Sequence, residues 1–181
     1  VIFDLGAVLI EWDAPLAFAD AFTTREAAED WMARIDFHAW NRLQDGGRSF
    51  QDGLTAAREQ HGDAARHLAG YLAAFALTID RPVPGTWEIA EALLARGVPM
   101  YAITNWSADT WPHALELYPR LTALFGDIVV SGQVRHLKPE PAIYRLLMDR
   151  NGLSPQDCIF IDDSLANVEG ARALGMDGIH F

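Results

Sequence analysis

The sequence predicts an α/β fold: a doubly wound parallel sheet into which a helical unit is inserted. Five short apolar runs alternate with helical patterns along most of the chain. The apolar residues of each run are continuous, which is typical of parallel strands that helices cover on both faces. Residues 13–83 break the alternation, because they show helical patterns and no convincing strand. We therefore expect a Rossmann-like sheet with the strand order 3-2-1-4-5.

The first strand is predicted over Val1–Leu5, and the helical insertion follows it. Each predicted helix of the insertion has a polar residue near its start, as helix capping requires. These starts are at Asp13, in the capping box Thr23–Glu26, at Ser49 and after Asp63. The second helix is predicted to run through Ile35, and the third to stop near Gly62. The chain is thus divided into a core, 1–12 and 84–181, and a helical cap, 13–83.

Strands and helices alternate from residue 84 onward. The remaining strands, all expected to be buried, are predicted over Val98–Thr104, Ile128–Ser131, Cys158–Asp162 and Gly178–Phe181. Proline favours the first turn of a helix and glycine the position after its end. The helices are predicted from Pro84-Gly85 to Arg96-Gly97, from Ser107 to Phe125 with interruptions at Pro112 and Pro119, from Pro139 to Arg150, and from Ser164 to Leu174.

Composition narrows the choice of partners. The 181 residues carry a formal net charge of −11, which is a poor match for nucleic acids or anionic membranes. No apolar run reaches the roughly 18 residues that a bilayer span requires. Cys158 is the only cysteine, which favours a reducing compartment, and we expect a cytoplasmic protein. Because Val1 already lies in a strand pattern, we expect a domain that lacks only a few terminal residues.

Polar residues stand where three of the predicted strands end. Asp4 closes the first strand, Thr104 and Asn105 the second, and Asp162 and Asp163 the fourth. The carboxyl ends of neighbouring parallel strands share one edge of the sheet, where ligands bind in open α/β folds. Two adjacent carboxylates repel each other and are best explained by a bound cation.

Lys138 is the only lysine in the chain, against thirteen arginines. It precedes a predicted helix N-terminus, where a positive charge is unfavourable unless an anion lies nearby. Because the chain otherwise uses only arginine as its strongly basic residue, lysine at this position indicates a need for a compact ammonium group. Together with the strand-end residues, Lys138 predicts a site for a dianion held by Mg²⁺, with a carboxylate placed to attack it.

Four segments resemble, in order, the motifs of the haloacid dehalogenase superfamily. They are FDLGAV at 3–8, ITN at 103–105, LKPEPAIY at 137–144 and FIDDSLANVEGA at 160–171. The insertion lies where members of this family carry a small helical cap. The resemblance covers essentially the whole chain and is closest to sugar-phosphate phosphatases with glycine in the first motif. It implies a Mg²⁺-dependent hydrolase of a small phosphate ester.

The resemblance also implies catalytic roles. Asp4 would be the nucleophile and would form a covalent aspartyl-phosphate. Thr104 would hydrogen-bond the transferring group, with Asn105 helping to orient it. Lys138 would pair with Asp4 and stabilise the transition state. Among the tryptophans expected near the pocket, Trp106 is the best placed for substrate binding; the others are Trp12, Trp40 and Trp111.

The implied Mg²⁺ site uses the first and last motifs. Asp4, the Gly6 carbonyl and Asp163 would be direct ligands, and Asp162 would support them. Asn167 falls where many relatives have an acid that supports the metal ligands.

Gly6 departs from the family pattern, because phosphatases of this family usually have an aspartate there as general acid and base. Loss of such a group typically lowers the rate by about 10²–10⁴-fold. Either another group takes this role, for which Asp13, Glu11 or a cap residue such as Asp45 are the alternatives, or the activity is slower or restricted to good leaving groups. The sequence does not choose among them.

Two other functions are weighed against phosphate ester hydrolysis. The first is 2-haloacid dehalogenation without a metal, against which Gly6, Val8 and the Asp162–Asp163 pair all argue. The second is a non-catalytic binding protein on a hydrolase core, which only Gly6 favours.

Overall fold

Five parallel strands form the sheet. A computed structural model describes all residues, Val1–Phe181. The strands are β1 (Ile2–Phe3), β2 (Tyr101–Thr104), β3 (Ile128–Val130), β4 (Ile159–Asp162) and β5 (Asp177–His180). They lie in the order β3-β2-β1-β4-β5, and every neighbouring pair is parallel. The predicted fold class and strand order are therefore confirmed.

The short strand β1 lies in the middle of the sheet. Ile2 is opposite Tyr101 of β2 on one side and Phe160 of β4 on the other. Ile2 and Phe160 are fully buried. Because β1, β2 and β4 are adjacent and run in the same direction, their carboxyl ends meet at one edge of the sheet.

The burial predicted for the last strand is wrong. β5 pairs only with β4 and forms one edge of the sheet. Ile179 is 49% exposed, and Phe181, directly after the strand, is 53% exposed. The predicted strand order already places this strand at the edge, but an apolar run alone does not show how far helices cover an edge strand.

The insertion between β1 and β2 is helical, as predicted. Its helices are α1 (Arg25–Arg34), α2 (Phe37–Asp45), α3 (Phe50–His61) and α4 (Tyr71–Thr78), with 3-10 helices at Ala14–Phe18 and Gly62–Gly70. The Thr24 hydroxyl accepts a hydrogen bond from the Ala27 amide at the start of α1. Ser49 caps α3 in the same way, accepting from the Asp52 amide. The N-cap predicted at Ser49 is confirmed, whereas the capping box Thr23–Glu26 indicates Thr23 and the structure uses the next residue, Thr24.

Two details of the insertion differ from the prediction. No helix is predicted over Phe37–Asp45, where the structure has α2, and the Asp36 side chain makes no capping hydrogen bond at its start. Asp36 has a left-handed backbone, with φ 50° and ψ 50°, which turns the chain between α1 and α2. Asp13 does not cap the following 3-10 helix; its carboxylate binds Arg25 and Arg81 instead.

Six further helices complete the fold. They are α5 (Thr86–Ala95), α6 (Trp111–Leu117), α7 (Leu121–Leu124), α8 (Ser131–Val134), α9 (Pro141–Asn151) and α10 (Leu165–Arg172). Gly97 has φ 71°, as expected for the residue that ends a helix. Two proline predictions are wrong, because Pro112 lies in the first turn of α6 and Pro141, not Pro139, begins α9.

Aromatic rings connect the insertion to the sheet. The Tyr71 ring lies 5.1 Å from Phe37 and 5.8 Å from Phe75. Phe75 in turn lies 5.8 Å from Trp106, just beyond the end of β2. One apolar core therefore continues from the sheet into the insertion. The division of the chain into a core and a cap stays a prediction. None of the helices combines the length and apolar character needed to cross a bilayer.

Candidate active site

Three carboxylates meet where β1 and β4 end. Asp4 follows β1, Asp162 ends β4 and Asp163 comes next, and each offers an oxygen within 4.8 Å of the others. Asp4 and Asp162 are buried, whereas Asp163 is exposed. Carboxylates at this separation repel one another strongly unless positive charge lies among them.

Lys138 brings a buried positive charge to this cluster. Its side chain is fully buried, and Nζ donates a hydrogen bond to Oδ2 of Asp162 at 2.6 Å. The same Nζ lies 2.8 Å from Oδ1 of Asp4. An ammonium group has three donors around a small centre and can bridge two carboxylates in this way, whereas a guanidinium group is a larger plane.

Asn105 holds the loop that carries Lys138. Its Nδ2 donates to the Lys138 carbonyl at 3.1 Å, and its Oδ1 accepts from the Lys138 amide at 2.8 Å. This reciprocal pair joins the end of β2 to the loop before α9. Thr104, the last residue of β2, is buried beside it. The roles expected for Thr104 and Asn105 toward a substrate stay predictions.

Asp162 is surrounded by hydrogen-bond donors. Its Oδ2 accepts from Lys138, while its Oδ1 accepts from the Ser164 amide at 2.8 Å and from Nδ2 of Asn167 at 2.9 Å. Asn167 is itself fixed, because its carbonyl accepts from the Tyr144 hydroxyl at 2.8 Å. Asp162 thus positions Lys138, and Asn167 supports Asp162.

Burial sets the electrostatics of the cluster. It raises the pKa of Asp4; the Lys138 ammonium opposes this shift, and the Asp162 carboxylate adds to it. Burial also raises the pKa of Asp163, with a further increase from Asp162. A divalent cation would reverse both shifts, since it favours the charged carboxylates.

The oxygen ligands at this edge fit Mg²⁺, which prefers carboxylate, carbonyl and water oxygens. Asp4, Gly6 and Asp163 line the same cavity. Both oxygens of Asp162 already accept hydrogen bonds. We therefore expect Asp162 to hold Lys138, and Asp4, Asp163 and the Gly6 carbonyl to contact the metal directly.

A cavity of about 260 Å³ opens above the carboxylates. Ligand pockets commonly measure about 300–1,000 Å³, so this one is suited to a small molecule. Residues from both the sheet edge and the insertion line it: Asp4, Gly6, Ala7, Trp12, Asn41, Asp45, Phe75, Asn105, Trp106, Thr110, Asp163 and Asn167.

Of the four tryptophans expected near the pocket, two line the cavity and two do not. Trp12 and Trp106 line the cavity. Trp40 does not; it is buried in the insertion, where its indole donates to the Gly53 carbonyl at 2.8 Å. Trp111 is also buried and away from the cavity.

Several cavity residues are not predicted from the sequence. Asn41, Phe75 and Thr110 line the cavity, although no sequence motif marked them. The only available signal for Asn41 was the helical pattern of α2, which was not recognised.

Comparison with known proteins places this site in a family. The sequence model of the haloacid dehalogenase-like hydrolases matches residues 1–175. The chain belongs to this family of hydrolases. It is 28% identical to the sesquiterpene phosphatase astK of Aspergillus oryzae, over 99% of this chain and 87% of that protein. It is also 26% identical to the drimenol cyclase drtB of Aspergillus calidoustus, of which it spans only 33%.

A solved haloacid dehalogenase-like structure shows the same fold. It is an enzyme from Bacteroides thetaiotaomicron, an aspartate-to-alanine mutant in complex with magnesium and inorganic phosphate. The superposition has a TM-score of 0.75 and covers 98% of this chain and 91% of that one, at 19% identity. At this identity the likeness concerns the fold alone.

Proposed function

We propose that this hydrolase is a Mg²⁺-dependent phosphatase that acts on a small phosphate ester through an aspartyl-phosphate on Asp4. One observation carries the proposal: the Lys138 ammonium is fully buried between Asp4 and Asp162, beside the third carboxylate, Asp163. A buried cation among carboxylates that also face a small cavity suits the capture of a dianion next to a nucleophile.

Asp4 and Lys138 have different roles in the proposed phosphoryl transfer. An Asp4 oxygen attacks phosphorus, and the bond from phosphorus to the ester oxygen breaks. Lys138, 2.8 Å from Asp4, stabilises the negative charge that spreads over the phosphoryl oxygens. A bound Mg²⁺ supplies further charge neutralisation and aligns the phosphoryl group. Water then cleaves the aspartyl-phosphate, which regenerates Asp4 and releases inorganic phosphate.

The relatives support phosphate chemistry over the alternatives. A relative matched over most of its length is named a phosphatase, and a structural neighbour binds magnesium and phosphate. Metal-free dehalogenation fits the site less well, because Asp163 adds a carboxylate to the cavity that would repel a haloacid. A purely binding function would leave the buried Asp4–Lys138 pair without a chemical purpose.

The test is release of inorganic phosphate from a panel of phosphate esters, with Mg²⁺ and with EDTA. We expect turnover with Mg²⁺ only, and a fall of about 10³-fold or more for Asp4→Asn. Asp149→Asn, which changes an exposed acid on α9, is the matched control and should behave like the wild type. Turnover that survives in Asp4→Asn, or consumption of chloroacids without metal, would refute the proposal.

A further inference from the structure

The site contains a nucleophile and a cation but no obvious group to protonate the leaving alcohol. Gly6 stands where a proton donor would be expected, and glycine has no side chain to supply one. Two of the three acids that could replace it are unsuitable. The Asp13 carboxylate is held by Arg25 at 2.8 Å and by Arg81 at 3.0 Å, contacts that lower its pKa. Glu11 lies 3.3 Å from Arg81 and does not line the cavity.

Asp45 is the third acid, and it lines the same cavity as Asp4, Gly6 and Asp163. It is the last residue of α2, so a residue of the insertion lines the cavity together with the sheet-edge carboxylates. Its Oδ2 accepts a hydrogen bond from Nδ2 of Asn41 at 3.0 Å, one turn earlier in the helix. The carboxyl group is thus oriented by a neighbour that also lines the cavity.

The backbone of Asp45 is tied to the core. Its carbonyl accepts a hydrogen bond from Oγ of Ser131 at 2.6 Å. The same Oγ accepts from the Trp106 amide at 2.9 Å. Trp106 follows Asn105, which holds the Lys138 loop. These bonds connect Asp45 to the elements that position the nucleophile and its cation, so its place above them is fixed.

The surroundings of Asp45 favour a protonated carboxyl group. It lies in the last turn of α2, where the helix dipole disfavours negative charge. Burial raises the pKa of Asp45 to about 7, while the Arg42 charge, the Ser107 amide and the Asn41 side chain act in the opposite direction. The other charged groups that line the cavity are the carboxylates of Asp4 and Asp163.

The geometry points to Asp45 as the general acid and base of this hydrolase, a role that rests on the proposed phosphatase function. As Asp4 attacks phosphorus, the ester bond breaks with its electron pair on the leaving oxygen. The Asp45 carboxyl proton passes to that oxygen and gives the alcohol. The Asp45 carboxylate then takes a proton from the water that attacks the aspartyl-phosphate. Asp4 and inorganic phosphate are released, and Asp45 is protonated again.

Leaving-group dependence tests this role. An alkyl phosphate needs protonation of its leaving oxygen far more than an aryl phosphate such as p-nitrophenyl phosphate, whose phenolate leaves readily. The measured quantity is kcat/KM, which reports the steps through release of the alcohol. For Asp45→Asn we expect a loss on the alkyl ester at least about tenfold larger than on the aryl ester, within the range of general acid catalysis. Equal losses on the two esters would overturn the assignment.

A matched control substitution and a rescue substitution distinguish a chemical role of Asp45 from a structural one. Asp36→Asn changes an exposed acid directly before α2 that does not line the cavity. It should leave the ratio of the kcat/KM values for the two esters unchanged. A Cβ built at Gly6 meets no atom within 4 Å, so a side chain can begin there without a clash. Adding Gly6→Asp to the Asp45→Asn variant should restore kcat/KM for the alkyl ester more than kcat/KM for the aryl ester. Failure of this rescue together with equal losses on both esters would show that Asp45 acts only structurally.

The two proposals fail differently. A wild-type protein that hydrolyses neither ester with Mg²⁺ refutes the phosphatase function, and the role of Asp45 falls with it. A wild-type protein that hydrolyses both esters, with equal losses in Asp45→Asn, refutes only the role of Asp45.

Discussion

At the scale of single residues, Lys138 explains why this arginine-rich chain keeps one lysine. Its ammonium contacts Asp162 at 2.6 Å and Asp4 at 2.8 Å inside a fully buried environment. Removal of water from charges is unfavourable, and the mutual attraction of the ions compensates for it only when the geometry is good. The lysine therefore serves stability as well as the proposed chemistry, and the two roles can be separated by measurement.

Lys138→Met should destabilise the fold. The substitution leaves Asp162 buried without its cation, a change that typically lowers the free energy of unfolding by about 3–5 kcal/mol. Urea unfolding measures it. Asp162→Asn in the Lys138→Met chain should recover part of the loss, because it removes the unpaired charge.

Arg145→Met provides the control for Lys138→Met, since Arg145 is an exposed cation on α9. We expect a change within about 0.5 kcal/mol there. If Lys138→Met were as mild as Arg145→Met, the buried ion cluster would have no energetic importance.

At the scale of elements, α2 brings insertion residues to the site. It carries Asn41 and Asp45, which line the cavity, and its last carbonyl is bonded to Ser131 at the start of α8. Gly132 allows the loop after β2 to approach α8 closely, because a Cβ there would lie 2.4 Å from the Ala108 amide nitrogen. The loops after β2 and β3 and the end of α2 thus form one packed junction.

Ser131→Ala should loosen this junction. The change deletes a buried hydroxyl that contacts the Asp45 carbonyl and the Trp106 amide, so both lose a partner. We expect a loss of about 1–3 kcal/mol and a fall in Tm of a few degrees, which calorimetry measures. Hydrolysis of an alkyl phosphate should weaken as well, because Asp45 is no longer held in place.

Thr122→Ala is the control for the junction. It deletes an exposed hydroxyl that bonds the Pro119 carbonyl at 3.0 Å, far from α2. Its Tm should stay close to that of the wild type. Equal effects of the two substitutions would mean that the Ser131 bond does not fix α2.

At the scale of the whole molecule, the charge at the site differs from the net charge of the chain. The chain has a net charge of −11, yet its proposed substrate is an anion. Lys138 and the expected Mg²⁺ supply positive charge where the substrate would lie, and part of the acidity belongs to the site itself. Burial raises the pKa of Asp4, Asp45 and Asp163, so charging these acids at neutral pH is less favourable in the folded state than in the unfolded chain.

Asp45 makes stability depend on pH in a defined direction. Its pKa rises from 3.8 to about 7 on folding, so the native state binds the proton more tightly than the unfolded chain. Its contribution to stability is full below about pH 4 and is lost as the pH rises toward 7. Asp45→Asn should therefore raise the free energy of unfolding by about 1–3 kcal/mol above pH 7, after allowance for solvent screening.

Unfolding at a series of pH values checks this effect. The advantage of Asp45→Asn should shrink steadily as the pH is lowered, because the wild-type carboxyl is then neutral in both states. Asp36→Asn, at an exposed position, should show no such trend. A pH-independent difference between Asp45→Asn and the wild type would contradict the raised pKa.

The sequence by itself determined the fold class, the strand order and the residues at the strand ends. The fold class and the strand ends follow from local patterns: continuous apolar runs, and polar residues at Asp4, Thr104 and Asp162 where the runs stop. The strand order is the one expected for this fold class. Parallel packing then requires these ends to meet. The N-cap at Ser49 was also predicted, and that of α1 to within one residue, because a cap depends on residues within one helical turn.

Only the tertiary structure decided which insertion residues reach the site. The sequence left Asp13, Glu11 and Asp45 equivalent as acids, and it missed the helix that carries Asp45. Folding binds Asp13 to two arginines and places Asp45 on the cavity wall. It likewise leaves Ile179 of the edge strand β5 49% exposed, although burial was predicted. These outcomes depend on contacts between residues far apart in the chain, and a local pattern contains no information about such contacts.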